Sequence, residues 1–322
     1  MASWNPTYLD AAVWSDPTDP SVFTFSGSSI TAWRDKSGNG RDFKSTSTYK
    51  PWIAEGGING LDCIQFNPTR SDWIQSNALI NFPYITLFVV FVPETLTGYY
   101  DQMIVQNYGG VDAYYVAHGY SNLRCAFAAT DGNVYVSSNG DLSRGLEPYI
   151  VCLRYSATTA ESFCDGTLRA TAAAKGALRD TNYGLVYGYD NSYNNAEFGG
   201  KLGDVILFSE AISDTDRQTV EGYLAHKWGI ASVLPSDHPY KLIAPRPPAS
   251  IGGIVRGADG EPASRVVRIY DRSTGALMTE VNSDATTGAY DIGLKSTGEV
   301  QRIVLADEPA FYNDIIDRVI PG

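Results

Sequence analysis

Apolar residues in this chain come in short bursts rather than at helical spacing. Runs rich in β-branched and aromatic residues predict strands at 63–67, 85–93, 102–106, 114–118, 123–128, 134–138, 149–155, 161–164, 184–189 and 202–208. Hairpin-type dipeptides punctuate them: Asn39-Gly40, Asn59-Gly60, Asp131-Gly132, Asn139-Gly140 and Asp165-Gly166. One segment breaks the pattern. Ser213 with Asp216 three residues on reads as a capping box, and Val220, Tyr223, Leu224 and Trp228 fall on one helical stripe. Gly229 ends this segment and Pro235 and Pro239 prevent its resumption, so a helix is predicted over 214–228. A single helix with a narrow stripe among short strands must lie on a sheet. The pattern predicts an all-β antiparallel sandwich with one short helix.

The pattern stops at residues 244–250 (APRPPAS), where closely spaced prolines favour an extended spacer. It restarts with strands predicted at 251–255, 264–271, 276–282, 288–293 and 300–306, separated by turns at Asp259-Gly260, 271–275 and 285–288. The expected organisation is a first domain over 1–243, a proline-rich linker over 244–250, and a small immunoglobulin-like or transthyretin-like sandwich over 251–322. No repeat or heptad occurs, so an oligomer would form through domain contacts.

Composition narrows the function. A net charge of −12 with no Lys/Arg run argues against nucleic acid and against anionic lipid. The longest apolar run, residues 85–92, is too short to span a bilayer, so no membrane insertion is expected. The first residues, MASWNPTYLDAAVW, lack a basic region and an apolar core, so no secretory signal is expected. Cys63, Cys125, Cys152 and Cys164 sit in strand-like contexts without C-x-x-C spacing. They read as reduced core thiols, and with only three histidines zinc is not expected.

Catalytic patterns are missing. No E-x-D-x-E string pairs two carboxylates on one strand, no G-x-S-x-G elbow occurs, and no phosphate-binding glycine loop is present. No catalytic residue, metal or cofactor is therefore expected; Asp112, Asp190 and Asp204 are the carboxylates weighed for calcium, without EF-hand spacing. What remains is aromatic. Tyrosine is abundant, at 21 residues, and concentrates with Asn and Gly at 99–120 and 187–198. Tyr189, Asp190, Asn191, Tyr193 and Asn194 are the candidate ligand-binding residues. Rings stack on sugar faces and amides bind hydroxyls, but the same mixture suits a protein contact or plain half-buried strands.

Two strings carry a resemblance. WRDKSGNGRDF at 33–43 with GLDCIQF at 60–66, and FGGKLGDV followed by SDTDRQTVEGYLAHKWG and LPSDHPY at 198–240, resemble the opening and closing segments of concanavalin A-like (laminin-G-like) jelly-roll domains. The likeness covers roughly residues 8–243 and identifies a scaffold rather than a ligand. It implies a concanavalin A-like jelly roll with one short helix, and structural roles for His226 and His238. The C-terminal strings, including RIYDRSTGAL and SDATTGAY, resemble small modules of bacteriophage tail and tail-fibre proteins. Together these imply a virion protein, made in the host cytoplasm, homo-oligomeric, that binds a host-surface glycan or neighbouring virion proteins. A polysaccharide depolymerase on the same scaffold, and an architectural head-fibre or collar subunit, are the alternatives.

Overall fold

In the computed structural model the described residues are 4–45, 48–70, 72–96, 102–107, 113–119, 121–181, 184–189, 197–257, 259–295, 299–305, 314–319 and 321 of the 322. The chain divides into two compact units, Asp10–Ala244 and a second made of Met1–Leu9 with Pro245–Gly322.

The Asp10–Ala244 unit is a concanavalin A-like jelly-roll sandwich of antiparallel strands. One layer runs Thr167–Ala173, Thr159–Cys164, Tyr149–Tyr155, Ile85–Pro93 and Gly200–Phe208. The far edge of Gly200–Phe208 is shared by Leu61–Phe66 and Val13–Ser15. The other layer runs Gly132–Tyr135, Asn122–Ala129, Tyr114–Gly119, Gln102–Asn107, Leu185–Tyr187, Ile74–Ser76, Phe43–Lys44, Ser29–Trp33 and Phe23–Ser26. Trp52–Ile58 pairs with Leu61–Phe66 and touches the second layer at Ser29, joining the two.

The central strand explains its own sequence. Ile85, Leu87, Val89 and Phe91 point into the sandwich core. Phe88 and Val90, on the opposite face, are equally buried. Both faces are covered, which is why the run is almost continuously apolar rather than alternating. The cover on the second face is the helix Asp214–Lys227. Its Ser213 cap accepts the Asp216 N–H at 3.1 Å, and Gly229 leaves it at φ +66°. Val220, Leu224 and Trp228 of the stripe are fully buried, while Tyr223 is half-buried, edge-on to Trp14 at 6.4 Å.

The strings that carry the resemblance are scaffold devices. A side chain at Gly203 would strike the Trp228 ring, and one at Gly222 would strike Tyr240. Asp204 accepts the indole N–H of Trp14 and of Trp228, each at 2.8 Å, and pairs with Lys227. Both of its oxygens are therefore engaged by side chains of the scaffold. Glu221 is buried between Arg217, at 2.6 Å, and His238, at 3.2 Å, while His226 Nε2 lies 2.8 Å from the Tyr240 carbonyl. Both histidines thus fasten the exit of the helix. In the WRDKSGNG loop, Asp35 accepts the backbone N–H of Trp14, Ser37 and Arg41, and Asn39 donates to the carbonyls of Ala11 and Ala12.

The Pro245–Gly322 part forms two small antiparallel sheets. Ala249–Ile254 pairs with Ala289–Leu294, and Leu277–Asn282, Val266–Asp271, Val300–Val304 and Asp314–Val319 make the other. Its core is built from Ile251, Val267, Ile269, Ile292 and Leu294. Two turns repeat one device: Asp271 and Asp284 each accept the N–H and hydroxyl of a threonine three residues on, followed by Gly275 or Gly288 at positive φ. The N-terminal residues, placed by the sequence reading with the jelly roll, group instead with this unit. Trp4 is buried, Tyr8 lies 6.3 Å from it, and a side chain at Gly293 would strike the Tyr8 hydroxyl.

Candidate functional site

The strands that the hydrophobic pattern did not single out, at 23–33 and 52–58, border a cleft on the jelly roll. Pro17, Pro20, Phe23, Phe25, Gly27, Ser28, Trp52, Ile53, Glu55 and Asp62 line an open cleft of about 390 Å³. That volume suits a small organic ligand. Phe23 belongs half to the core: its ring lies 5.4 Å from buried Trp33 and 5.9 Å from Phe25. Phe25, at the surface end of this file of rings, is 46% exposed.

Two irregularities shape the mouth. The Phe23–Ser26 ladder shifts register between Thr24 and Phe25, and the Trp52–Ile58 ladder shifts between Ala54 and Ile58. Bulges of this kind re-aim side chains at a sheet edge. The second takes Glu55 out of regular pairing, and Gly56, at φ +58°, donates its N–H to Asp62 Oδ1 at 2.9 Å. Glu55 and Asp62 line the cleft together with the aromatic side chains.

Trp52 is held from outside the cleft. The Arg70 guanidinium lies 5.1 Å from the Trp52 ring centre and 5.6 Å from that of Tyr49. Arg70 is anchored in turn by the buried carboxylate of Asp72 at 3.1 Å. Burial raises the Asp72 carboxyl despite Arg70 and the Asn67 N–H, which oppose it.

Asp72 links this cleft to the region chosen from sequence. Its carbonyl and the Phe66 ring border Gly188, leaving no room there for a side chain, and Tyr189 follows directly. Tyr189 is half-buried and its carbonyl accepts the Gln106 side chain at 2.6 Å. Asp190, Asn191, Tyr193 and Asn194 lie outside the described residues, as does Asp112. The ends of the tyrosine-rich stretch are core rather than contact surface. Tyr187 is buried against Phe43, with ring centres 4.5 Å apart, and Phe198 is buried against Phe66 at 5.9 Å. Within the other stretch Tyr114 is likewise buried, and burial raises its hydroxyl.

Other chemistry-bearing side chains have structural places. His118 is buried between Phe91 and Phe198, at 6.2 and 6.0 Å. The four cysteines are separate buried thiols, and burial pushes that of Cys63 up to about 12. Among the described residues no group of three or more His, Cys, Asp or Glu is placed to hold a metal ion. No helix among them is long and apolar enough to cross a membrane.

Sequence and structure comparisons agree on the scaffold. Residues 70–216 match the family model of the concanavalin A-like lectin/glucanases superfamily, of laminin G type. No curated protein matches the chain. Among solved structures, the receptor-binding domain of botulinum neurotoxin D is similar at a TM-score of 0.51 and 11% identity, over 92% of this chain and 68% of that one. A second structure of the botulinum neurotoxin serotype D binding domain gives 0.50 and 11%, over 92% and 65%. Domain 4 of the arabinanase AbnA from Geobacillus stearothermophilus, in complex with arabinotriose, gives 0.43 and 12%, over 56% and 88%.

Proposed function

We propose that the jelly-roll unit is a glycan-binding domain and that the Phe25–Trp52 cleft is where the sugar sits. The observation that carries this reading is the make-up of the cleft. The exposed Phe25 ring and the half-buried Trp52 ring offer flat apolar faces, and two carboxylates in the lining accept hydroxyl hydrogens, which is the pairing that saccharides need. The lectin-like fold supports it, and the fold neighbours that are themselves receptor-binding domains are consistent with it. Tyr189, with Asp190, Asn191, Tyr193 and Asn194 that follow it in sequence, is the candidate for further sugar contacts, on the composition of that stretch.

The wider role is a bacteriophage virion component, in a tail or its fibres, acting by binding a host-surface glycan or neighbouring virion proteins rather than by catalysis. One shallow site gives modest affinity, since each ring contact or hydrogen bond adds only about 1 kcal/mol. Several copies in a homo-oligomer would supply useful avidity. A screen of the full chain against immobilised host polysaccharides tests the reading. Binding by the parent, lost in Phe25→Ala with Trp52→Ala while circular dichroism stays unchanged, is expected. Retained binding in that variant would sink the cleft assignment. Loss in Tyr189→Ala with Tyr193→Ala would add these tyrosines to the binding residues. Release of reducing ends by the parent would favour the depolymerase reading instead.

A further inference from the structure

We propose, on the basis of that cleft reading, that the site selects sugars by charge: it takes saccharides bearing a free amine and rejects acidic ones. The lining holds two carboxylates, Glu55 and Asp62, and no lysine, arginine or histidine. Three nearby cations are engaged elsewhere, and exposed Arg34 lies outside the lining with its guanidinium 3.4 Å from the Ser21 carbonyl. Arg70 is committed to Asp72 and to the rings of Trp52 and Tyr49. Lys36 is held by Asp16 and Asp19, at 3.0 and 3.2 Å, and Lys201 donates to the Gly57 carbonyl at 2.7 Å. A uronic or phosphorylated sugar would therefore meet like charge with no cation in the lining to offset it. An ammonium group on a hexosamine meets the opposite situation. Its ring stacks on Phe25 or Trp52, and the cation, close to an aromatic face, gains from ring and carboxylate together. The Gly56 N–H holds one oxygen of Asp62, at 2.9 Å. The charge is thus built into the hairpin rather than carried only on a free surface chain. The whole-protein charge of −12 acts in the same direction at longer range.

The experiment is a titration of the full chain with three oligosaccharides of equal length: a glucosamine oligomer, its N-acetylated counterpart and a galacturonic acid oligomer. At low salt and a pH that protonates the amine, the glucosamine oligomer should bind about 10-fold more tightly than the acetylated one, as two surface ion pairs would give. The galacturonate should bind weakest. The advantage should shrink in about 1 M salt, where charges are screened. It should vanish in Glu55→Gln with Asp62→Asn, which should weaken both oligomers through altered hydroxyl contacts but the glucosamine oligomer by the larger factor, so that the two then bind alike. Equal binding of all three sugars, with binding still lost in Phe25→Ala with Trp52→Ala, overturns the charge selection and keeps the cleft. No binding of any of them, or binding indifferent to those rings, overturns both. Competition by a lysine-rich peptide as strong as that of the glucosamine oligomer also overturns it, in favour of a protein partner.

Discussion

The carboxylate of Asp204 accepts the indole N–H of Trp228 at 2.8 Å, at a point where both residues are fully buried. Trp14 donates to the other oxygen of the same carboxylate, and Lys227 neutralises it. One side chain of the Gly200–Phe208 strand thus binds the chain entry and the helix end. Asp204→Ala removes the acceptor of two buried indoles and the partner of a partly buried lysine. A loss of about 3–5 kcal/mol in urea unfolding is expected. A loss below about 1 kcal/mol would show that water replaces the carboxylate at little cost.

Leu224 sits in the centre of the buried helix stripe. Leu224→Ala should cost about 2–5 kcal/mol, the usual range for opening a cavity in a packed core. Tyr223→Ala, at the half-buried edge of the same stripe, should cost less. Equal losses at the two positions would mean that the stripe is seated differently.

Acid should unfold the jelly roll partly through Asp16. Burial opposes ionisation of this carboxyl, but Lys227 and Lys36 outweigh it and hold it at about 2, against an ordinary 3.8. The unfolded chain therefore takes up the proton first as pH falls. The stability Asp16 supplies is present above about pH 4 and is lost toward pH 2, by roughly 2 kcal/mol. Asp204 runs the other way, because burial raises its carboxyl; what it contributes is present at low pH and declines as pH rises. Asp16→Asn should be less stable at neutral pH and should flatten the acid limb of a stability-against-pH curve. An unchanged acid limb would assign the loss to other carboxylates.

Arg70 acts on the cleft through Trp52, so it is a positioning residue. Arg70→Met should weaken saccharide binding a few-fold, the worth of one cation–π contact. It should also lower the melting temperature, because Asp72 is left buried without its cation. Adding Asp72→Asn should restore the melting temperature but not the affinity. Recovery of both together would reduce Arg70 to a purely structural part.

The scaffold was legible in the sequence because its devices are local. Ser213 and Asp216 sit three apart, Gly229 ends the helix, and the strings around Gly203, Asp204, Gly222 and Trp228 are short. The continuous apolar run at 85–92 was legible as a buried strand, though not why both its faces are covered. The cleft was not legible, for a physical reason. Phe23, Phe25 and Trp52 are ordinary strand residues one at a time, and become a wall only when distant hairpins meet at the Ser29–Trp52 pair. Tyr187 shows the converse. It looks like part of a recognition loop by composition, yet Ser15, 172 positions away, hydrogen-bonds its hydroxyl inside the core.

The grouping of Trp4–Leu9 with the C-terminal sheets sets an order of events during synthesis. Tyr8 leaves the ribosome more than two hundred residues before Gly293, whose backbone its hydroxyl closely approaches. The jelly roll has every one of its strands before that point and can condense while the first residues still wait. The small unit, by contrast, must close one very long chain loop to complete itself, although that entropy grows only with the logarithm of length. Its folding should be the slower of the two, as contacts distant in sequence generally are. The chain passes between the units twice, at residues 9–10 and 244–245. A single cut in the proline-rich linker would therefore leave the pieces joined through the N-terminal segment, held by non-covalent packing alone.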